Sequence, residues 1–211
     1  MVVKEEQAED GLTRSQRRAT RTRRRLLNAA LDMFGTKGFD ATTVEDITER
    51  ADVGKGTFYR HFTSKNEVMT ALVEDAVEHL IHRMCGGGDM PPTLEDTVLQ
   101  MVDAHVGFYG DRPAQFFLLQ ERMLSSIQLD PQDEPTEPYA GYLAHLGQNV
   151  AAFAGGPLDP IKVRRLGRGL MTFVSLFAPF TTMGMNRHEV MTSIDPLRRV
   201  FAARAAAFLT Q

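Results

Sequence analysis

Thr43-Val-Glu-Asp-Ile-Thr-Glu-Arg-Ala-Asp-Val-Gly-Lys-Gly-Thr-Phe-Tyr-Arg-His-Phe-Thr-Ser-Lys65 is the stretch whose reading decides the fold. Thr43 and Asp46 stand at the spacing of a capping box, so a helix is expected to start here. Val44, Ile47 and Ala51 recur at helical spacing and give it one narrow apolar face. Asp52-Val53-Gly54 then interrupts the pattern as a turn. A second short helix is predicted from about Lys55 to Phe62. Phe58 and Phe62, four apart, bury together, while Lys55, Thr57, Tyr59 and His61 lie elsewhere on the helix. Their amine, hydroxyl and imidazole groups suit phosphate oxygens and base edges, and a helix of this size fits the major groove. Ser64-Lys-Asn-Glu67 reads as the capping box of a longer helix. The unit is a helix-turn-helix with a recognition helix.

Outward from it, the charge is unevenly placed. The net charge of the 211 residues is −3. Residues 11–65 carry 12 Lys/Arg against 6 Asp/Glu, whereas residues 66–211 carry 11 against 17. A basic end on an acidic body is the asymmetry of a nucleic-acid-binding module attached to something else. Seven arginines (14, 17, 18, 21, 23, 24 and 25) fall within twelve residues that hold no acid. Taken alone, such a run is a solvated helix start. Beside a recognition helix it reads as an arm that contacts the phosphate backbone or reaches into a minor groove. The arginines oppose the helix dipole, so fraying is expected without DNA.

Residues 20–70 resemble the DNA-binding domain of the TetR family of bacterial transcriptional regulators. The string Gly56-Thr57-Phe58-Tyr59-x-His61-Phe62-x-Ser64-Lys65 carries the likeness, supported upstream by Arg24, Leu26-Leu27, Ala29-Ala30-Leu31, Phe34, Gly38-Phe39 and Thr42-Thr43. Two positions depart from the family pattern: Asp52 stands where the turn commonly has glycine, and Gly54 where serine commonly caps the recognition helix. The resemblance implies an all-α chain. It has a helix-turn-helix domain over 14–65, a connecting helix over 66–85 and a C-terminal regulatory and dimerisation domain over 93–211, after a disordered tail at 1–13. Expected DNA contacts are Arg21, Arg24, Thr43, Gly54, Lys55, Gly56, Thr57, Tyr59, His61 and Lys65. Tyr59 and Lys65 would hold phosphates, and Lys55 and Thr57 would read bases.

The first helix is expected to run to about Thr36 with Leu26, Leu27, Ala30, Leu31 and Phe34 on its apolar face, and Phe39 to join Ile47, Phe58 and Phe62 in a small core. The connecting helix buries Met69, Leu72, Val73, Ala76 and Leu80. His79 and His82 share a face, but Cys85 lies about 120° round the helix from His79, so no metal site is expected. Gly86-Gly-Gly88 and Pro91-Pro92 end that helix. Further helices follow, the first with Leu94, Val98, Met101, His105 and Phe108 on one face, the next marked by Phe116, Phe117, Gln120, Leu124 and Ile127. A loop is expected over 130–138, and a helix from Tyr139 to Phe153. Gly169–Met185 is 17 residues without a charge, but Pro179, Ser175 and three threonines make a buried helix the better reading than a membrane span. The last helix is predicted from Pro196 to about Thr210.

By resemblance, the helices near 161–184 and 196–210 form a homodimer, and two recognition helices then read half-sites about 34–36 Å apart on a palindromic double-stranded operator. The same resemblance puts a small-molecule effector in the C-terminal domain. Candidate lining residues are His105, Phe108, Tyr109, Phe116, Phe117, Gln120, Met123, Phe173, Phe177 and Met183, although such residues at helical spacing are more often plain core. A repressor released from its operator by a small, mostly hydrophobic ligand is expected. The alternative is an activator or architectural DNA-binding protein controlled by a protein partner. No nucleophile elbow, phosphate-binding glycine loop or His-Glu-x-x-His pair appears, so no catalytic residue and no cofactor are expected. The single Cys85 and the lack of a signal-peptide pattern suit the cytoplasm.

Overall fold

The computed structural model describes residues 13–85, 91–125, 138–154, 156–177 and 187–211. Among these residues the chain is all-α, with helices α1 (Arg14–Lys37), α2 (Val44–Arg50), α3 (Lys55–Tyr59), α4 (Lys65–Cys85), α5 (Leu94–Asp111), α6 (Pro113–Ser125), α7 (Tyr139–Ala154), α8 (Pro160–Ser175) and α9 (Arg187–Thr210). They fall into two compact units, Met1–Leu72 and Val73–Gln211, and α4 runs through the boundary. Among the described residues no helix is long and apolar enough to cross a membrane.

In the first unit, Leu26, Ala30 and Phe34 of α1 are buried with Ile47 of α2, Phe58 of α3, and Phe62, Val68 and Met69. The apolar spacing read from sequence is therefore the packing face. Phe39 is half-buried with its ring centroid 5.2 Å from that of Phe34. Thr43 and Asp46 form the expected reciprocal box: the Asp46 N–H donates to Thr43 Oγ1 at 3.1 Å and the Thr43 N–H to Asp46 Oδ2 at 2.8 Å. With Lys37 Nζ at 2.7 Å, these bonds favour the ionised Asp46 carboxylate and hold its pKa at about 2. The Ser64 box is only half formed. Ser64 Oγ accepts from the Glu67 N–H, but the Glu67 carboxylate turns to the N–H and hydroxyl of Thr63.

In the second unit α5 is the central helix, packed against α6, α7, α8 and α9. Leu94, Val98, Met101, His105 and Phe108 are all buried along its predicted stripe, and Thr97, Val102, Ala104 and Gly107 extend the burial round the helix. Gly107 permits a close approach. A Cβ there would fall 2.0 Å from Arg83 Nη2, so the Arg83 side chain of α4 occupies the place of a side chain on α5. Its guanidinium also pairs with Asp111. His105 is wholly buried, and both ring nitrogens are engaged. Nδ1–H donates to the Met101 carbonyl at 2.6 Å, and the Tyr142 hydroxyl donates to Nε2 at 2.8 Å. It is a satisfied core histidine.

Three boundaries differ from expectation. Thr13 is not part of a tail: it caps α1, with its side chain accepting the Gln16 N–H and Gln16 Oε1 accepting the Thr13 N–H at 2.8 Å. This box supports a first turn that has no acid to complement the dipole, so the arginine run is helical from Arg14 on. The recognition helix stops at Tyr59, and Phe62 is kept in the core by a turn in which the His61 and Phe62 N–H groups both donate to the Phe58 carbonyl. Finally, α9 begins nine residues before Pro196 and passes through it. Proline removes one N–H from the helical ladder, but Ile194 is buried on one side of it and Arg198 binds Asp195 at 2.8 Å and also pairs with Asp103 of α5 on the other. Residues 1–12, the glycines at 86–88, Ile127, the loop expected over 130–137 and the stretch 178–186 with Pro179 and Met183 lie outside the described residues.

Burial holds the His105 pKa down at about 4, below its ordinary value of 6.5. The unfolded chain therefore binds more protons between those values, and stability falls as pH drops from about 6.5 to 4. The expected loss from this group is about 3 kcal/mol. Urea unfolding of the wild type and His105→Gln across pH 4–7 checks this, the variant showing the smaller pH dependence in that window.

Candidate nucleic-acid interface

The turn between α2 and α3 is fixed by its own backbone and by α1. The Val53 N–H donates to the Thr48 carbonyl at 3.0 Å and the Asp52 N–H to Glu49 at 3.0 Å. Asp52 has φ of 52°, the left-handed region that L side chains other than Asn and Asp seldom adopt. Arg25 of α1 closes the turn from outside, donating from Nη2 to the Ala51 carbonyl at 2.6 Å and approaching the Asp52 carboxylate at 3.4 Å. On the far side of α3, Arg23 donates to the His61 carbonyl and lies 4.3 Å from the Phe62 ring centre.

This support presents a polar face. Phe58 is fully buried while Tyr59, its ring in edge contact with Phe58, is 58% exposed. Lys55 and Gly56 are exposed, and Thr57 is half-buried. Lys55 forms an ion pair with Glu45 in which both side chains are more than half exposed. Such a pair is worth little in water and can be exchanged for a phosphate. Thr57 Oγ1 accepts from Arg60 Nη2 at 3.2 Å. Gly54 caps α3 with extended backbone and no side-chain bond. His61 is half-buried; desolvation, then the charges of Arg60 and Arg23, lower its pKa and favour the neutral ring. Thr43 is exposed, with its hydroxyl already engaged in the α2 cap.

A groove of about 1140 Å³ runs between the first turns of α1 and the α2–α3 turn and α3. Arg14, Arg17, Arg18, Arg21, Arg25 and Arg60 line it with Thr57 and His61, and Asp52 is the one acid on its wall. Arg21 thus joins the recognition helix in one concave basic surface, whereas Arg24, also expected there, is exposed but does not line the groove. Sequence reasoning passed over Arg60, whose signal was a cation between two expected contacts, Tyr59 and His61.

Lys65 has partners within the fold. Its ammonium donates to the carbonyls of Phe39 at 2.8 Å, Asp40 at 3.0 Å and Thr42 at 2.9 Å, and lies 4.6 Å from the Phe39 ring centre. With three donors on three carbonyls, the residue expected to hold a phosphate ties the α1–α2 loop to α4.

The expected effector residues are distributed through the second unit. Phe108 and Phe116 are fully buried, and Met123 and Phe173 nearly so. Tyr109, Phe116 and Phe117 form a mutual edge-to-face cluster in which Phe117 is 44% exposed. Gln120 donates to Ser175 across α6 and α8, and Phe173 contacts Phe177 and Phe201. His79 rests against Phe108, and Cys85 Sγ lies 3.6 Å from His145 Nε2. Among the described residues no three His, Cys, Asp or Glu side chains converge as metal ligands do.

Lys65→Met is expected to lower the stability of the helix-turn-helix unit by about 1–3 kcal/mol, because three loop carbonyls lose a charged donor. Asp52→Gly is expected to raise it by up to about 1 kcal/mol by relieving the left-handed strain. Chemical denaturation of both variants gives the signs directly.

The chain matches the family profile of bacterial regulatory proteins, tetR family, over residues 26–72. It is 49% identical over 53 residues to the HTH-type transcriptional regulator TcmR of Streptomyces glaucescens, covering 25% of this chain and 24% of that one. Against the first curated relatives it matches, the shared segment spans only about a quarter to a third of their length. One relative is covered further: an HTH-type transcriptional regulator from the lacX 3′ region of Lactococcus lactis is 30% identical over 141 residues, which are 64% of this chain and 70% of that protein. The fold is that of the transcriptional regulator FadR of Bacillus subtilis, solved in complex with stearoyl-CoA, with a TM-score of 0.60 at 14% identity over 89% of this chain and 97% of that one. A helix-turn-helix that matches the profile in sequence, and a relative matched over most of its length, place this chain in the tetR family of bacterial regulatory proteins, which regulate transcription and are not enzymes.

Proposed function

We propose that the protein is a dimeric, sequence-specific repressor of transcription, acting on a palindromic operator in the cytoplasm and released by a small, mostly hydrophobic effector held in the second unit. The observation that carries the DNA-binding part is α3. A five-residue helix has its one large apolar side chain, Phe58, buried and leaves Lys55, Gly56, Thr57 and Tyr59 on its other faces, next to a groove lined by arginines. Hydroxyl and amine groups on a short helix suit base edges and phosphates, and the flanking guanidiniums supply sequence-independent attraction.

Dimerisation is supported by apolar side chains left in water near the C-terminus. Ile161 of α8, Leu176 just beyond it, and Leu197 and Val200 of α9 are between 40% and 65% exposed. A twofold axis that covers them would set two recognition helices against successive half-sites. For the effector, support comes from the aromatic cluster of Tyr109, Phe116 and Phe117 beside the Gln120–Ser175 bond, together with the acyl-CoA in the FadR complex. Since both nitrogens of His105 are engaged, Tyr109, Phe117 and Gln120 are the better candidates to meet it. α4 is the element common to both units, so a ligand that binds two states with different affinity has a covalent route to the reader.

Selection of random or genomic DNA fragments by the purified protein at near-physiological salt tests the reading. A palindrome with half-sites about one helical turn apart is expected; binding without preference would overturn the specific-repressor proposal. On the selected site, Lys55→Ala and Thr57→Ala are expected to relax sequence preference by about 1–3 kcal/mol at one position. Tyr59→Phe is expected to weaken all sequences alike. Competition binding against single-base operator variants separates the two effects.

A further inference from the structure

We infer that the N-terminal half of α1 grips the phosphate backbone beside the recognition helix as a preformed helix, and does not enter a minor groove. The inference rests on the DNA-binding reading of α3 and adds to it the manner in which the arginine run is used. Three observations carry it. First, the run is helical from Arg14 and is held so by the reciprocal Thr13–Gln16 box. An α-helix with its side chains is about 10–12 Å across, whereas the minor groove of B-DNA is about 6 Å wide. Arms that do enter it are extended segments, so a helix of this girth is excluded while it remains a helix.

Second, the arginines point to one place. Arg14, Arg18 and Arg21 recur at spacings of four and three, one face of α1, and all line the groove that Thr57, Arg60 and His61 close from the other side. Third, among the described residues no side-chain bond ties Arg14, Arg18 or Arg21 to the fold. The first buried side chain of α1 is Leu26, and the bracing bonds described come from Arg23 and from Arg25, which ends the same groove-lining face one turn beyond Arg21. Guanidiniums in a row on a rigid helix match phosphates along one strand. They carry no information about base edges, so they set affinity and register but not sequence preference.

The test uses the full chain and its selected operator, and compares the wild type with two variants. R14A/R18A/R21A removes the charges. Ala19→Pro keeps every arginine but breaks the helix at a groove-lining position, and circular dichroism with a thermal melt confirms that the core beyond Leu26 is intact in both. For the triple variant the slope of log affinity against log salt is expected to become shallower by about 2–3, with affinity near 0.1 M salt falling about 10²–10³-fold. The order of preference among operator variants should not change. Ala19→Pro is expected to lose a large part of the same affinity, and netropsin, which fills the minor groove, should leave the difference between wild type and triple variant intact.

If Ala19→Pro binds as tightly as the wild type, or if netropsin abolishes the difference, the arm works extended in the minor groove and the inference is overturned. An unchanged salt slope in the triple variant overturns it as well, with the repressor proposal left standing. A wild type that selects no sequence overturns the proposed function, and this inference with it.

Discussion

A helix of five residues does not hold itself together. Nucleation costs more than one turn of hydrogen bonds returns, and isolated helices shorter than about 12–15 residues are marginal in water. α3 exists because Phe58 and Phe62 are buried against α1 and α2, and because the loops on either side are fastened by cations from longer helices. Lys65 gathers three carbonyls of the α1–α2 loop, Arg25 holds the turn before α3, and Arg23 holds the turn after it. The exposed face of the recognition helix is available only because this scaffold bears its weight.

The result is a division of labour within one residue type. Phosphate contact and carbonyl contact both call for a flexible stem with a charged donor at its tip, so composition cannot separate them. Arg23 and Arg25 are adjacent to Arg24, yet the first two reach into the helix-turn-helix and the third stands in solvent. Helical phase decides it: 100° of rotation per residue carries a guanidinium from a neighbouring loop to open water.

The second unit obeys a different constraint. α5 packs against four helices, so a polar group on its buried side must be satisfied from within. His105 meets this by donating back to Met101, one turn earlier, and accepting from Tyr142 of α7. The pair joins two helices at the cost of a histidine that stays neutral over most of the pH range. The same tightness shows at Gly107, where the absence of a side chain lets Arg83 lie against α5 and reach Asp111.

The sequence by itself determined what depends on near neighbours along the chain. The Thr43–Asp46 box, the stripe from Leu94 to Phe108, the burial of Phe58 and Phe62 and the polar character of Lys55, Thr57 and Tyr59 follow from periods of three and four residues and from caps three residues apart. Tertiary structure alone decided the rest. Lys65 meets carbonyls 23 to 26 positions away, Tyr142 meets His105 across 37, and Arg198 reaches Asp103 across 95, beside a proline that local rules would have placed at a helix start. A hydrogen bond between distant residues leaves no periodic trace in either segment, because each partner is chosen by where the packed helices bring it and not by its own neighbours.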